Sequence, residues 1–108
     1  MVIIYMEFNK LVRDKIPEII KSRGDVPFVH IATEKEYEDA LVAKLGEEIK
    51  EFLADPSAEE VADILEVLHT ICNLKKISLN NIEEIRKKKV EERGEFEQRI
   101  ILERTEDK

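Results

Sequence analysis

Four carboxylates bracket a turn with mirror spacing: Glu48 and Glu51 precede Asp55-Pro56, and Glu60 and Asp63 follow it. The position numbers of each opposed pair have the same sum. Two helices folding back antiparallel would therefore bring Glu51 level with Glu60 and Glu48 level with Asp63. An E-x-x-E facing an E-x-x-D across a helix pair makes a cage of hard oxygen ligands, suited to a divalent cation such as Mg²⁺ or Mn²⁺. Helical phase selects the same residues. At about 100° per residue, Leu41, Val42, Leu45, Ile49, Phe52 and Leu53 share an apolar arc, with Glu48 just outside its edge and Glu51 further round. On the following helix Val61, Ile64, Leu68, Ile71 and Cys72 define one face, extended by Val67 and Leu74. Glu60 projects into the middle of that face and Asp63 onto its edge, whereas Glu59 and Glu66 point away. An unpaired carboxylate beside an apolar seam costs several kcal/mol or takes up a proton, and a bound cation removes that penalty.

The same residues admit plainer roles. Glu60 is placed to complete a capping box with Ser57, and Glu47, Glu48 and Glu51 could form a solvated acidic face paired with Lys44 and Lys50.

The elements that must hold the carboxylates are mostly helices. Val2–Met6 and Pro27–Ile31 are β-prone, and Leu11–Ser22 is a helix stopped by Gly24. Thr33 with Glu36 caps a long helix to about Leu53, Ser57 with Glu60 caps another to about Lys76, and Asn81 with Glu84 opens a third to about Arg93. Gly94 ends that one, and Gln98–Glu103 reads as a strand able to pair with Phe28–Ile31. The expected fold is mainly α, an antiparallel helical core with a small β-ribbon, in a single domain over residues 1–108.

Composition narrows the partners. A net charge of −7 argues against a nucleic-acid or anionic-membrane binder, yet a metal ion and local cations can reverse the field inside one pocket. A chain of 108 residues buries roughly two thirds of its unfolded surface. Only three glycines and three prolines leave little room for long irregular loops. Cys72 is the single cysteine, so no intrachain disulfide forms, and its helical apolar setting reads as a buried thiol. Met1–Met6 is too short and lacks the basic lead-in of a signal peptide, no segment has the length of a membrane span, and a cytoplasmic location is expected.

Glu47-Glu48-Ile49-Lys50-Glu51 followed by Glu60-Val61-Ala62-Asp63 resembles the E-E-x-x-E…E-x-x-D motif of the all-α nucleoside triphosphate pyrophosphatases. That superfamily includes MazG-like enzymes, phosphoribosyl-ATP pyrophosphohydrolases and dimeric dUTPases. Asn9–Pro17 resembles the opening of its small MazG-like and phosphoribosyl-ATP pyrophosphohydrolase-like members, and Arg93–Ile100 their C-terminal glycine-x-phenylalanine segment. The eight residues between Glu51 and Glu60 are a shorter connection than is usual there, which leaves the base preference open. The resemblance implies Mg²⁺ held by Glu48, Glu51, Glu60 and Asp63, with water attacking between the α and β phosphates. Glu47 is the matching candidate to orient or deprotonate that water.

The pyrophosphate end of such a substrate needs cations. Lys10, Arg13 and Lys15 form one basic cluster, in which Lys10 and Arg13 at i, i+3 would share a helix face; Lys88 and Arg93 belong to another, on a helix end. Tyr5, Tyr37 and Phe28 could stack on a base, although core packing explains each better, and His30 and His69 have no metal-ligand spacing. So small a chain hardly encloses a nucleotide, so a homodimer or homotetramer is expected, its contacts including Val67 and Leu74. The competing reading is a non-catalytic helical module whose acidic face binds a basic partner.

Overall fold

The computed structural model describes residues 8–107. Four helices form among them: α1 (Ile16–Ser22), α2 (Glu34–Ala54), α3 (Ala58–Lys75) and α4 (Leu79–Arg93). The protein is thus mainly α, as expected. The chain divides into two compact units after Ile71, the first holding α1, α2 and most of α3, the second the end of α3 together with α4.

α1 starts at Ile16 rather than Leu11, with Pro17 in its first turn. A helix from Leu11 would put Pro17 in its interior, where the missing N–H and the ring clash break the ladder; at N1 or N2 neither matters. Lys10 and Arg13 therefore do not share a helix face. At the other end Gly24 adopts φ 90°, and the Gly24 and Asp25 N–H groups donate to the Lys21 and Ile20 carbonyls, a Schellman closure. The caps of α2 and α3 follow the sequence: Thr33 Oγ1 accepts from the Glu36 N–H at 3.2 Å, and Ser57 Oγ from the Glu60 N–H at 3.3 Å. α4 begins earlier than the Asn81–Glu84 pair predicts. Ser78 supplies the cap, and the Asn81 N–H is the donor it satisfies at 3.3 Å.

No strand forms among the described residues. Phe28 and Ile31 are 92% and 94% exposed, and Ile100–Leu102 are exposed as well. A strand gains its hydrogen bonds only from a neighbouring strand, so alternation in one short segment does not suffice. The Val2–Met6 segment and Tyr5 lie outside the described residues.

The connection Asp55–Ser57 reverses the chain between α2 and α3. Among the described residues of the first unit, Leu41 and Val67 are the buried apolar ones. Val67 is thus already covered within one chain, contrary to the expectation that a second copy covers it. A different set stays bare: Val42, Ile49 and Leu53 on α2, and Val61, Leu65 and Leu68 on α3. In the second unit Cys72 is a buried free thiol, as its apolar setting predicts.

Candidate metal centre

The reversal brings Glu48, Glu60 and Asp63 together, each offering a carboxylate oxygen within 4.8 Å of the others. Glu48 is only 6% exposed, while Glu60 and Asp63 are half-buried. The Oε2 atoms of Glu48 and Glu60 are buried without a hydrogen-bond partner. Buried polar atoms are nearly always paired, so two orphaned carboxylate oxygens in one cluster make it a group that could hold a cation.

The electrostatics agree. Burial pushes the Glu48 carboxyl above the ordinary glutamate range, and the Glu51 charge adds to it, with Lys44 opposing. Glu60 is raised too, by desolvation and then by the charges of Glu51, Asp63 and Glu48. Glu51 is exposed and lies outside the converging three, yet its charge is the foremost among neighbours acting on both. A side-chain hydrogen bond between Glu51 and Glu60 raises Glu60 further, so Glu51 borders the converging three.

Glu47 behaves oppositely. Burial disfavours its ionised form, but hydrogen bonds and charges from Lys10 and Lys44 outweigh that and hold its carboxyl below the usual range. Lys10 Nζ donates to Glu47 Oε1 at 3.2 Å and lies 5.8 Å from the centre of the Phe8 ring, a cation–π contact. Asn9, at φ 47°, turns the chain there, a conformation asparagine tolerates better than most residues. Arg13 donates to Asp63 Oδ1 at 2.7 Å. Two cations expected from sequence to meet phosphate thus stand at the carboxylate cluster. Lys15 sits at the N-cap of α1, exposed. Lys88 and Arg93 lie on α4 of the second unit, where Lys88 pairs with Glu92 at 3.9 Å. His30 Nε2 contacts both oxygens of Glu36 at 2.9 and 3.0 Å, and His69 is exposed.

Sequence spacing misses Lys44. It reads as half of a surface i, i+4 pair, but its side chain is 19% exposed and wedged between Glu47 Oε2 at 3.6 Å and Glu48 Oε1 at 3.4 Å. It also misses a cavity of about 290 Å³ between α2, α3 and the segment before α1. Its wall includes Glu48, Asp63, Arg13 and Lys44 together with Tyr37, Glu66 and Thr70. Glu66, which phase points away from the seam, thus faces this space.

Comparison with known proteins adds a sequence relative. A protein of Mycolicibacterium smegmatis described as uncharacterized is 47% identical over 45 residues, 42% of this chain. The match spans 46% of that relative, just under half its length. No family model and no solved structure matches the chain. No described helix is long and apolar enough to cross a membrane.

Proposed function

We propose that the protein is a Mg²⁺-dependent nucleoside triphosphate pyrophosphohydrolase of the MazG-like kind, cleaving between the α and β phosphates to give a nucleoside monophosphate and pyrophosphate. One observation carries this reading: three carboxylates converge within 4.8 Å, and two of their oxygens are buried with no partner. The donor set is all carboxylate oxygen, which suits Mg²⁺, with Mn²⁺ as a substitute. Glu48, Glu60 and Asp63 would hold the cation, and Glu51 adds negative charge from outside. A cation so held neutralises phosphoryl oxygens and lowers the pKa of bound water.

The chain's own groups supply the rest. Glu47, kept ionised by Lys10 and Lys44, accepts a hydrogen bond from the attacking water and orients it. Its lowered pKa makes it a weak proton acceptor, so positioning is its main contribution. Arg13 and Lys10 donate to phosphate oxygens, Arg13 with the planar fork that suits two oxygens at once. Lys15, Lys88 and Arg93 are further candidates for the pyrophosphate end.

The working form is a homo-oligomer. Val42, Ile49 and Leu53 recur on one face of α2, and Val61, Leu65 and Leu68 on one face of α3, all exposed. Gly46 lies on the α2 stripe with nothing within 4 Å of where a Cβ would be. A mid-helix glycine costs about 1 kcal/mol against alanine, and a second copy's helix approaching there would give it a use.

The test is a Mg²⁺-dependent hydrolysis screen over standard, deoxy and modified nucleoside triphosphates and phosphoribosyl-ATP, scoring pyrophosphate separately from orthophosphate. Pyrophosphate release that is lost in Glu60→Gln is the expected result. Metal binding without turnover on any of them would leave a binding module in its place.

A further inference from the structure

Along the cavity the polar groups change character. Arg13 and Lys44 stand with Glu48 and Asp63, so that part combines donors with the metal cluster. Thr70 lies seven residues along α3 from Asp63, an axial separation of about 10 Å. There the chemistry is hydrogen-bond acceptance. Thr70 Oγ1 donates its own proton to the Glu66 carbonyl at 2.9 Å, leaving its oxygen only able to accept. Glu66 lies between Asp63 and Thr70, one turn from each, and among the described residues neither its carboxylate nor that of Asp14, also on the wall, makes a hydrogen bond or ion pair. The Tyr37 ring completes this part of the wall, half-buried, on the same α2 face as Leu41 and Lys44. A cavity of about 290 Å³ is at the small end of ligand pockets: it has room for a base with its sugar, not for a whole triphosphate.

We propose that this cavity is the base pocket, and that it selects a base whose edge carries two adjacent N–H donors, as guanine's N1–H and amino group do. That the ligand is a nucleotide rests on the pyrophosphohydrolase reading above; the base preference rests on the wall itself. The orientation follows from charge. Phosphates would be drawn to Arg13, Lys44 and the metal cluster and repelled by Glu66, so the base takes the Thr70 end. A carboxylate accepts both guanine donors at once, which makes Glu66 the specificity residue, with Tyr37 stacking on the ring. Adenine presents an acceptor beside its amino group and would face Glu66 with like polarity. Hypoxanthine lacks the amino group and leaves half of the carboxylate unmatched.

Equilibrium binding of GMP, IMP and AMP to the full chain with saturating Mn²⁺ tests this. GMP is expected to bind at least tenfold tighter than IMP or AMP. Glu66→Gln should bring the three within about threefold of one another, with Mn²⁺ affinity by electron paramagnetic resonance unchanged. Thr70→Met, which fills the cavity, should weaken all three while the melting temperature and Mn²⁺ affinity are kept. Equal affinities in the wild type, a GMP preference untouched by Glu66→Gln, or undiminished binding in Thr70→Met would each overturn the assignment. The two readings fail separately. Pyrophosphate release without base preference removes the pocket and keeps the enzyme; selective GMP binding without hydrolysis of GTP does the reverse.

Discussion

Adding Mg²⁺ or Mn²⁺ to the metal-free protein is expected to raise its melting temperature by about 10 °C at a concentration of 100 Kd. Binding to the folded state alone contributes about 2.7 kcal/mol at that ratio, and each kcal/mol moves the midpoint of a chain this size by about 4 °C. The structural reason is like-charge crowding. At the 4.8 Å limit between their ligand oxygens, Glu48 and Asp63 repel by roughly 3.5 kcal/mol at an effective dielectric constant of about 20. Solvent screening lowers that figure, because Asp63 is 39% exposed and already holds Arg13. Lys44 offsets part of the Glu48 charge, whereas no cation is paired with Glu60 among the described residues. Glu60→Gln should therefore do two opposite things: raise the melting temperature of the metal-free protein by a few degrees and abolish the response to metal. Differential scanning fluorimetry with and without Mg²⁺, against K⁺ at matched ionic strength, reads both. A Glu60→Gln protein that is less stable than wild type without metal, or that keeps the full Mg²⁺ shift, would refute the claim that these carboxylates crowd one another around a vacant charge.

Three further outcomes follow from the same geometry. The pKa values of Glu48 and Glu60 are raised on folding, so they favour the folded state at low pH and that contribution is lost as pH rises through their folded values. Glu47 and Glu83 are lowered and act in the opposite sense, their contribution being lost only below the ordinary glutamate range. Metal-free protein should thus melt higher at mildly acidic pH than at neutral pH, then lose stability in stronger acid, and the Mg²⁺ shift should shrink on acidification; thermal melts across pH check it. Arg13→Gln should change stability by less than about 1 kcal/mol, as an exposed pair does, while lowering kcat/KM about tenfold or more through lost phosphate contact, measurable by steady-state kinetics with thermal melts as control. Leu65→Glu, which puts a charge in the bare apolar stripe, should yield a smaller species in analytical ultracentrifugation than the wild type, and an unchanged sedimentation coefficient would count against that face as the contact.

What the sequence reveals is whatever depends on neighbours a few positions away. The reversal at Asp55–Ser57 is local, and once it forms, mirror spacing alone brings Glu48 level with Asp63. The caps at Thr33 and Ser57 and the stops at Gly24 and Gly94 are equally local, because one side chain or one left-handed residue settles each. The expected strands depend on a partner that no short segment specifies. Lys44 and Glu66 are obscured for another reason: spacing gives the direction of a side chain but not what closes over it. The segment before α1 does the closing, since Leu11–Asp14 line the cavity beside Lys44 and Glu66. Its path is set by two backbone constraints, the left-handed turn at Asn9 and the inability of Pro17 to lie deep in a helix. Holding residues 10–13 out of the helix lets Lys10 and Arg13 reach Glu47 and Asp63, on two different helices. The departure from the expected helix is therefore what brings cations to the acidic cluster, and a chain of net charge −7 would need such a device to receive the phosphates of the proposed substrate.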